Sequence, residues 1–338
     1  VVASTVASGS AVAEAVRAIM AIEARGSTDL CEGWLRGCEQ VALGQTPDAV
    51  TRVLLLTDGL ANHGVIDLQQ IIGHAAELRA RGVSTSTFGV GEDFNEYLLG
   101  PMADEGGGHF YLVERDEQIP EMIGTEVGEA LEVTLRAAQL RVGPASAATV
   151  APLPPFPTRR DGDDWVIELG DLASLQELSV PVRVSFPTGG IVGSIGSTVR
   201  LSLSVSGAGG SPVSAHVAWT IATGTEVGAQ PRNRRVDLAV AQAYAALARR
   251  EAGRLNGDGD FAGARHQLTR VAARILRYAG DDAELIGLAE QLQRDAVDHQ
   301  RRLSSLDRKS RYMGSEEVLK GRMAGGGSRR RPSHPGGA

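Results

Sequence analysis

The chain has 338 residues, 42% of them hydrophobic, enough for more than one buried core. Its net charge of −7, from 34 Lys/Arg against 41 Asp/Glu, argues against a uniformly basic nucleic-acid binder. No apolar run approaches the ~20 residues of a membrane-spanning helix. The charge is uneven, because residues 301–338 hold ten Lys/Arg and three Asp/Glu. That composition predicts a solvated, disordered basic tail over 311–338 and gives no reason to expect nucleic acid as a partner.

Taken in order, Ser10 is the expected cap of a helix over 10–24, with Val12, Val16, Ile19 and Met20 at helical spacing. A second helix is expected from Asp29 to Leu43, opened by Thr28 and Asp29. It carries both cysteines, Cys31 and Cys38. Seven residues of helix separate their Cα atoms by ~10 Å, too far for a disulfide. They are expected to be core-facing thiols, which fits a reducing, cytoplasmic setting.

The next stretch, Arg52 to Gly59, reads Arg-Val-Leu-Leu-Leu-Thr-Asp-Gly. The unbroken apolar run Val53–Leu56 predicts a strand buried on both faces. It ends in Asp58, at the carboxyl end of the strand, where open α/β sheets bind ligands. The Thr28 hydroxyl and the Asp58 carboxylate are hard oxygen donors suited to Mg²⁺, Mn²⁺ or Ca²⁺. Helices over 67–81, 96–105 and 116–133 alternate with strands over 83–90 and 110–113. This alternation predicts an α/β fold with a doubly wound, mostly parallel sheet. No Walker loop, Ser-His-Asp set or His-Glu-x-x-His motif is present, so an enzyme is not expected.

Thr28 in Gly-Ser-Thr-Asp-Leu and Asp58 in Leu-Leu-Leu-Thr-Asp-Gly resemble two of the three metal-loop elements of von Willebrand factor type A domains. The stretch from Gly89 to Leu99 and the Gly-Gly-Gly-His-Phe-Tyr run at 106–111 are similar to bacterial members. The resemblance covers about 130 residues. It implies a Mg²⁺ or Mn²⁺ ion held by Thr28 and Asp58, with a partner protein's acidic side chain completing the coordination. The family's remaining element, Asp-x-Ser-x-Ser after the first strand, is not found. Ser8-Gly9-Ser10 has Val6 where the Asp should stand, so Ser8 and Ser10 are expected to be turn and cap residues. The cation is expected only where that missing loop is present. On this reading the first domain, 1–133, lacks its first strands, and the Val53–Leu56 strand has one bare edge. The implied function is a non-enzymatic, metal-dependent protein-interaction module. The alternative is an accessory subunit that docks on an AAA-type ATPase or metal chelatase.

Beyond residue 137 the period changes to alternation, as in Val199, Leu201, Leu203, Val205 and in Val213, Ala215, Val217, Trp219. This predicts a β-sandwich over 137–231, with Pro181 at an edge strand. Asp161-Gly162-Asp163-Asp164 is expected to be a hairpin turn. Residues 232–310 are expected to form a helical hairpin plus a long helix running towards Leu306. The Asn-Gly-Asp-Gly-Asp turn at 256–260 does not fit a calcium loop, because the sixth position is Phe261 and the twelfth Gln267. The whole order resembles bacterial proteins of the chloride-channel-regulator branch.

Overall fold

Three parallel strands set the frame of the first domain in the computed structural model, which describes residues 5–6, 8–23, 29–46, 49–143, 149–174, 176–186 and 195–321. They are β1 (Arg52–Thr57), β2 (Ser84–Val90) and β3 (Gly107–Val113), in the order β1-β2-β3. Five helices accompany them: α1 (Gly9–Met20), α2 (Leu30–Leu43), α3 (Leu68–Ala80), α4 (Glu96–Glu105) and α5 (Ile119–Leu131). One core lies between the sheet and α2, α3 and α4, built from Cys31, Trp34, Cys38, Ile71, Leu99 and Met102 among others. The other face of the sheet, through Leu54, Phe88, Tyr111 and Val113, packs on Ile119, Met122 and Ile123 at the start of α5. Helices on both faces make the sheet doubly wound, as the alternation predicts. Both thiols are buried and unlinked, and burial pushes Cys38 up to about 11.

Two expectations for this domain change. β1 is not buried on both faces: only Val53 is fully covered, and Leu56 is 41% exposed. The reason is position, since β1 is the edge of the described sheet and only β2 pairs with it. A cavity of ≈ 640 Å³ opens along that edge, lined by Arg52, Leu54, Glu126, Ala130 and Val133. α1 begins one residue before the expected start and is capped by Ser8, whose Oγ accepts from the Ala11 N–H at 3.3 Å. Its apolar stripe of Val12, Val16, Ile19 and Met20 stays exposed, so helical spacing here marks amphipathicity without a covering neighbour.

The second unit begins at β4 (Val133–Gly143) and continues through β5 (Thr149–Pro152), β6 (Thr158–Asp161), β7 (Asp164–Ala173), β8 (Val182–Ser185), β9 (Thr198–Ala208) and β10 (Val213–Thr220). Five strands form an antiparallel sheet in the order β10-β9-β4-β7-β6, and β5 pairs with β8. Val142, Ile167 and Leu201 of the larger sheet share a core with Val150 and Val182 of the smaller one. Gly162 (φ 61) and Asp163 make the β6–β7 turn, so the acidic run there is hairpin chemistry. β10 alternates in sequence but is exposed along its length apart from Trp219, because nothing covers its outer face among the described residues.

The third unit contains a short α6 (Gly224–Ala229), then α7 (Arg234–Gly257), α8 (Phe261–Ala279), α9 (Ala283–Asp298) and α10 (Ser305–Leu319). Small residues pack α7, α8 and α9 closely, with Ala241, Ala245, Ala264, Ala272 and Ala289 all fully buried. The third helix does not run on to Leu306. It stops at Asp298, and Asn256 closes the gap to α10 by donating to the Arg301 carbonyl at 2.8 Å and accepting from the Leu303 N–H at 2.9 Å.

The expected disordered tail is also corrected over 311–321, because α10 lies between α7 and the α4–β3 face of the first domain. It is held largely by polar groups. Lys309 is 2% exposed and its Nζ donates to the Glu92 and Phe94 carbonyls at 2.7 and 2.6 Å, 4.1 Å from the Phe94 ring centre. Tyr312 OH accepts from Arg250 Nη2 at 2.9 Å, and its ring fills the space that a side chain on Gly100 would need. Glu316 pairs with Arg250 at 2.6 Å, and Lys320 with Asp104 at 2.5 Å.

Burial and then the Asp104 charge push Glu316 up to about 8, against the pull of Arg250 and Lys320. An acid raised in the folded state stabilises the fold below its unfolded value near 4.5, and that contribution is lost as pH rises through about 8. Glu316→Gln should therefore melt with the wild type in acid and above it at alkaline pH, by roughly 4 °C if ~1–2 kcal/mol is involved. Equal melting temperatures at alkaline pH would show that Glu316 ionises in place without loss.

Candidate functional site

Asp58 follows the last residue of β1, at the carboxyl end of the parallel sheet where the sequence places a ligand site. It is exposed, and among the described residues it has neither a hydrogen-bond nor an ion-pair partner. Its neighbour Thr57 turns its hydroxyl inward to the Gly59 backbone at 3.3 Å. The loop after Asp58 folds back over the start of α2. Gly64 (φ 68) sits so close to the Asp29 carboxylate that no Cβ fits, and His63 Nδ1 lies 3.4 Å from Asp29 Oδ2. Asp29 caps α2, accepting from the Glu32 N–H at 2.9 Å. The tip thus brings the loop after β1, with Asp58 and His63, to the capped N-terminus of α2, and among the described residues Asp58 has no partner.

Thr28, the other residue expected to hold a cation, lies outside the described residues. A hard dication takes about six oxygens. Of the carboxylates at this tip, Asp58 has no partner among the described residues and Asp29 is already occupied as cap and histidine partner. The described residues therefore do not by themselves fit a closed Mg²⁺ or Mn²⁺ site.

A second cluster stands at the opposite end of the strands. Arg52, the first residue of β1, donates to Glu126 Oε1 at 2.7 Å and to Asp171 Oδ2 at 3.1 Å. Ser86 also donates to Glu126 Oε1, and Tyr111 OH to Oε2, each at 2.5 Å. His109 Nδ1 lies 3.1 Å from Glu126 Oε2 and 3.6 Å from Glu129 Oε2. Gly108 makes this possible. A Cβ there would collide with the Thr85 carbonyl and Ser86 Oγ, and without one the His109 N–H reaches Ser86 Oγ at 3.1 Å. Burial pushes the Glu126 carboxyl up, but hydrogen bonding and positive charge at His109, then Arg52 and Ser86, hold it well below the usual range. Sequence reasoning missed this cluster. The only local signals were the i, i+3 spacing of Glu126 and Glu129 and the glycine run before His109.

Comparison with known proteins agrees with the frame. Residues 3–125 match the family model described as the von Willebrand factor type A domain. Uncharacterized protein YfbK of Escherichia coli (strain K12) is 32% identical over 141 residues, which is 41% of this chain. The match spans only 24% of that relative's length. A solved structure titled von Willebrand factor type A from Catenulispora acidiphila superposes with a TM-score of 0.66 at 18% identity, covering 94% of this chain and 76% of that one. The human COPII-coat protein Sec24c superposes with a TM-score of 0.52 at 12% identity, over 91% of this chain and 45% of that one. At such identities the two structures speak for the fold, and the first covers nearly all three units. Taken with the doubly wound sheet and Asp58 at its carboxyl tip, the match establishes that this chain carries a von Willebrand factor type A domain over residues 3–125.

Proposed function

We propose that the chain is a non-enzymatic protein-interaction module that engages its partner at the carboxyl tip of the type A domain. The observation that carries this reading is Asp58, an exposed carboxylate at the carboxyl end of β1 that has no hydrogen-bond or ion-pair partner among the described residues. The finer form of the proposal is a metal-dependent contact, in which Thr28 and Asp58 help to hold Mg²⁺ or Mn²⁺ and an acidic side chain of the partner completes the site. Since the described residues do not fit a closed site, this form needs further ligands, and residues 1–338 alone are expected to bind Mg²⁺ no tighter than millimolar.

Capture of partners from a cell extract on the immobilised chain, with Mg²⁺ or with EDTA, tests both levels. Asp58→Ala should reduce capture at least tenfold while circular dichroism stays unchanged. If the variant captures as much as the wild type, Asp58 is a turn residue and the tip reading fails. Capture that depends on Asp58 but ignores EDTA would retain the interaction module and remove the metal.

A further inference from the structure

The tip is not the only place where metal-capable side chains meet. Among the described residues one group of three, His109, Glu126 and Glu129, brings one donor atom each to within 4.8 Å of the others. It lies at the amino end of the sheet, beside Arg52, while Asp58 closes the carboxyl end. Six residues of strand, about 20 Å, separate the two ends. This cluster is therefore independent of the tip.

We propose that His109, Glu126 and Glu129 form a zinc site, with imidazole Nδ1 and one oxygen of each carboxylate as protein ligands and solvent in the fourth position. Bonds of about 2.0–2.2 Å at tetrahedral angles put neighbouring ligand atoms ~3.3 Å apart. The two separations from Nδ1, 3.1 Å to Glu126 and 3.6 Å to Glu129, bracket that value. The third separation, between the two carboxylate oxygens, is within 4.8 Å, so a cation entering here would draw the ligands together without rearranging the backbone. Donor chemistry selects among metals: an imidazole nitrogen with two carboxylate oxygens suits a borderline ion such as Zn²⁺ better than Mg²⁺, which prefers oxygen and keeps its waters.

Glu126 is also held as a ligand should be. Arg52 and Ser86 fix its Oε1, and Tyr111, itself stacked on Phe88 with ring centres 4.5 Å apart, fixes the other oxygen. Such outer contacts orient a ligand before the metal arrives. Access comes from the other two residues, since the side chains of His109 and Glu129 are 16% and 30% exposed while Glu126 is 1%. The ligands come from β3 and from the second half of α5, which leads through Glu132 into β4. A metal here would fasten the last helix of the type A domain to its sheet, at the point where the chain leaves for the second unit.

The test uses the full chain, freed of metal by a chelator, titrated calorimetrically with ZnCl₂ near neutral pH and melted with and without Zn²⁺. One equivalent should bind at micromolar affinity or tighter and raise the melting temperature. His109→Ala and Glu129→Gln should each weaken binding at least tenfold, and Asp58→Ala should leave it unchanged, which keeps this site apart from the tip. Glu129 sits at the rim, so Glu129→Gln should remain folded even if His109→Ala does not. The proposal is overturned if millimolar Zn²⁺ gives neither heat nor a melting shift, or if binding survives Glu129→Gln undiminished.

Discussion

Ending the chain at Leu303, and so removing α10, should leave the type A domain unable to unfold as a single cooperative unit at its original temperature. The helix supplies Tyr312 to the first domain's core, where the ring is 3% exposed and meets Phe110 edge-on with ring centres 5.7 Å apart. Truncation of a buried aromatic to Ala typically costs about 3–5 kcal/mol. The whole helix also withdraws Lys309 from the Glu92 and Phe94 carbonyls and leaves Asp104 and Arg250 buried without their partners. Each orphaned polar group adds roughly 1–3 kcal/mol. Tyr312→Ala is the milder form of the experiment and should alone lower the melting temperature by roughly 6–15 °C. If deletion of α10 moves the melting curve by less than a degree or two, the helix is an ornament on the surface, and the tail begins near residue 304.

Arg52→Leu should be the most damaging single substitution in the sheet. The guanidinium is 7% exposed and stands between Glu126, 1% exposed, and Asp171, 16% exposed. Leucine fills part of the volume but takes the guanidinium away from both carboxylates, leaving Glu126 to His109, 3.1 Å away. Removal of one member of a buried ion pair costs about 3–5 kcal/mol, mostly because the survivor remains charged in a dry place. Chemical denaturation followed through Trp34, which is buried against β2 and donates to Thr85 Oγ1 at 3.2 Å, reads this domain. Adding Glu126→Leu should recover part of the loss, since an apolar pair needs no counter-charge. An unchanged midpoint for the single variant would mean that solvent reaches both carboxylates.

What the sequence discloses depends on how locally each feature is encoded. The run Val53–Leu56 followed by Thr57-Asp58-Gly59 announces a strand and the turn that ends it in seven consecutive letters, and the structure puts both in place. The helices over 30–43, 68–80 and 96–105 carry their caps, Asp29, Asp67 and Asn95, beside them. α10 is a different case. Its letters, Lys309, Arg311, Glu316 and Glu317 with few apolar residues, describe a solvated helix or a tail. Burial of Lys309 is satisfied by partners more than 200 residues away, and that of Tyr312 and Glu316 by Arg250 on α7, which no local pattern shows. The Arg52–Glu126–His109 cluster is hidden for the same reason, because 74 residues separate Arg52 from Glu126. β10 fails in the opposite sense: its alternation is clear, but alternation states which residues share a face, not whether anything lies over it.

The lodging of α10 also sets an order of events during synthesis. The type A sheet emerges from the ribosome early, with Phe94 and Phe110 facing a place that the helix has yet to fill. About 200 further residues must be added before Lys309 and Tyr312 exist, some 10–40 s at ordinary rates of translation. Throughout that interval the nascent domain shows an apolar face at β3 and α4, the kind of surface that chaperones bind. Codon changes that slow translation between residues 220 and 300 should therefore lower the soluble yield of this protein without altering a single amino acid.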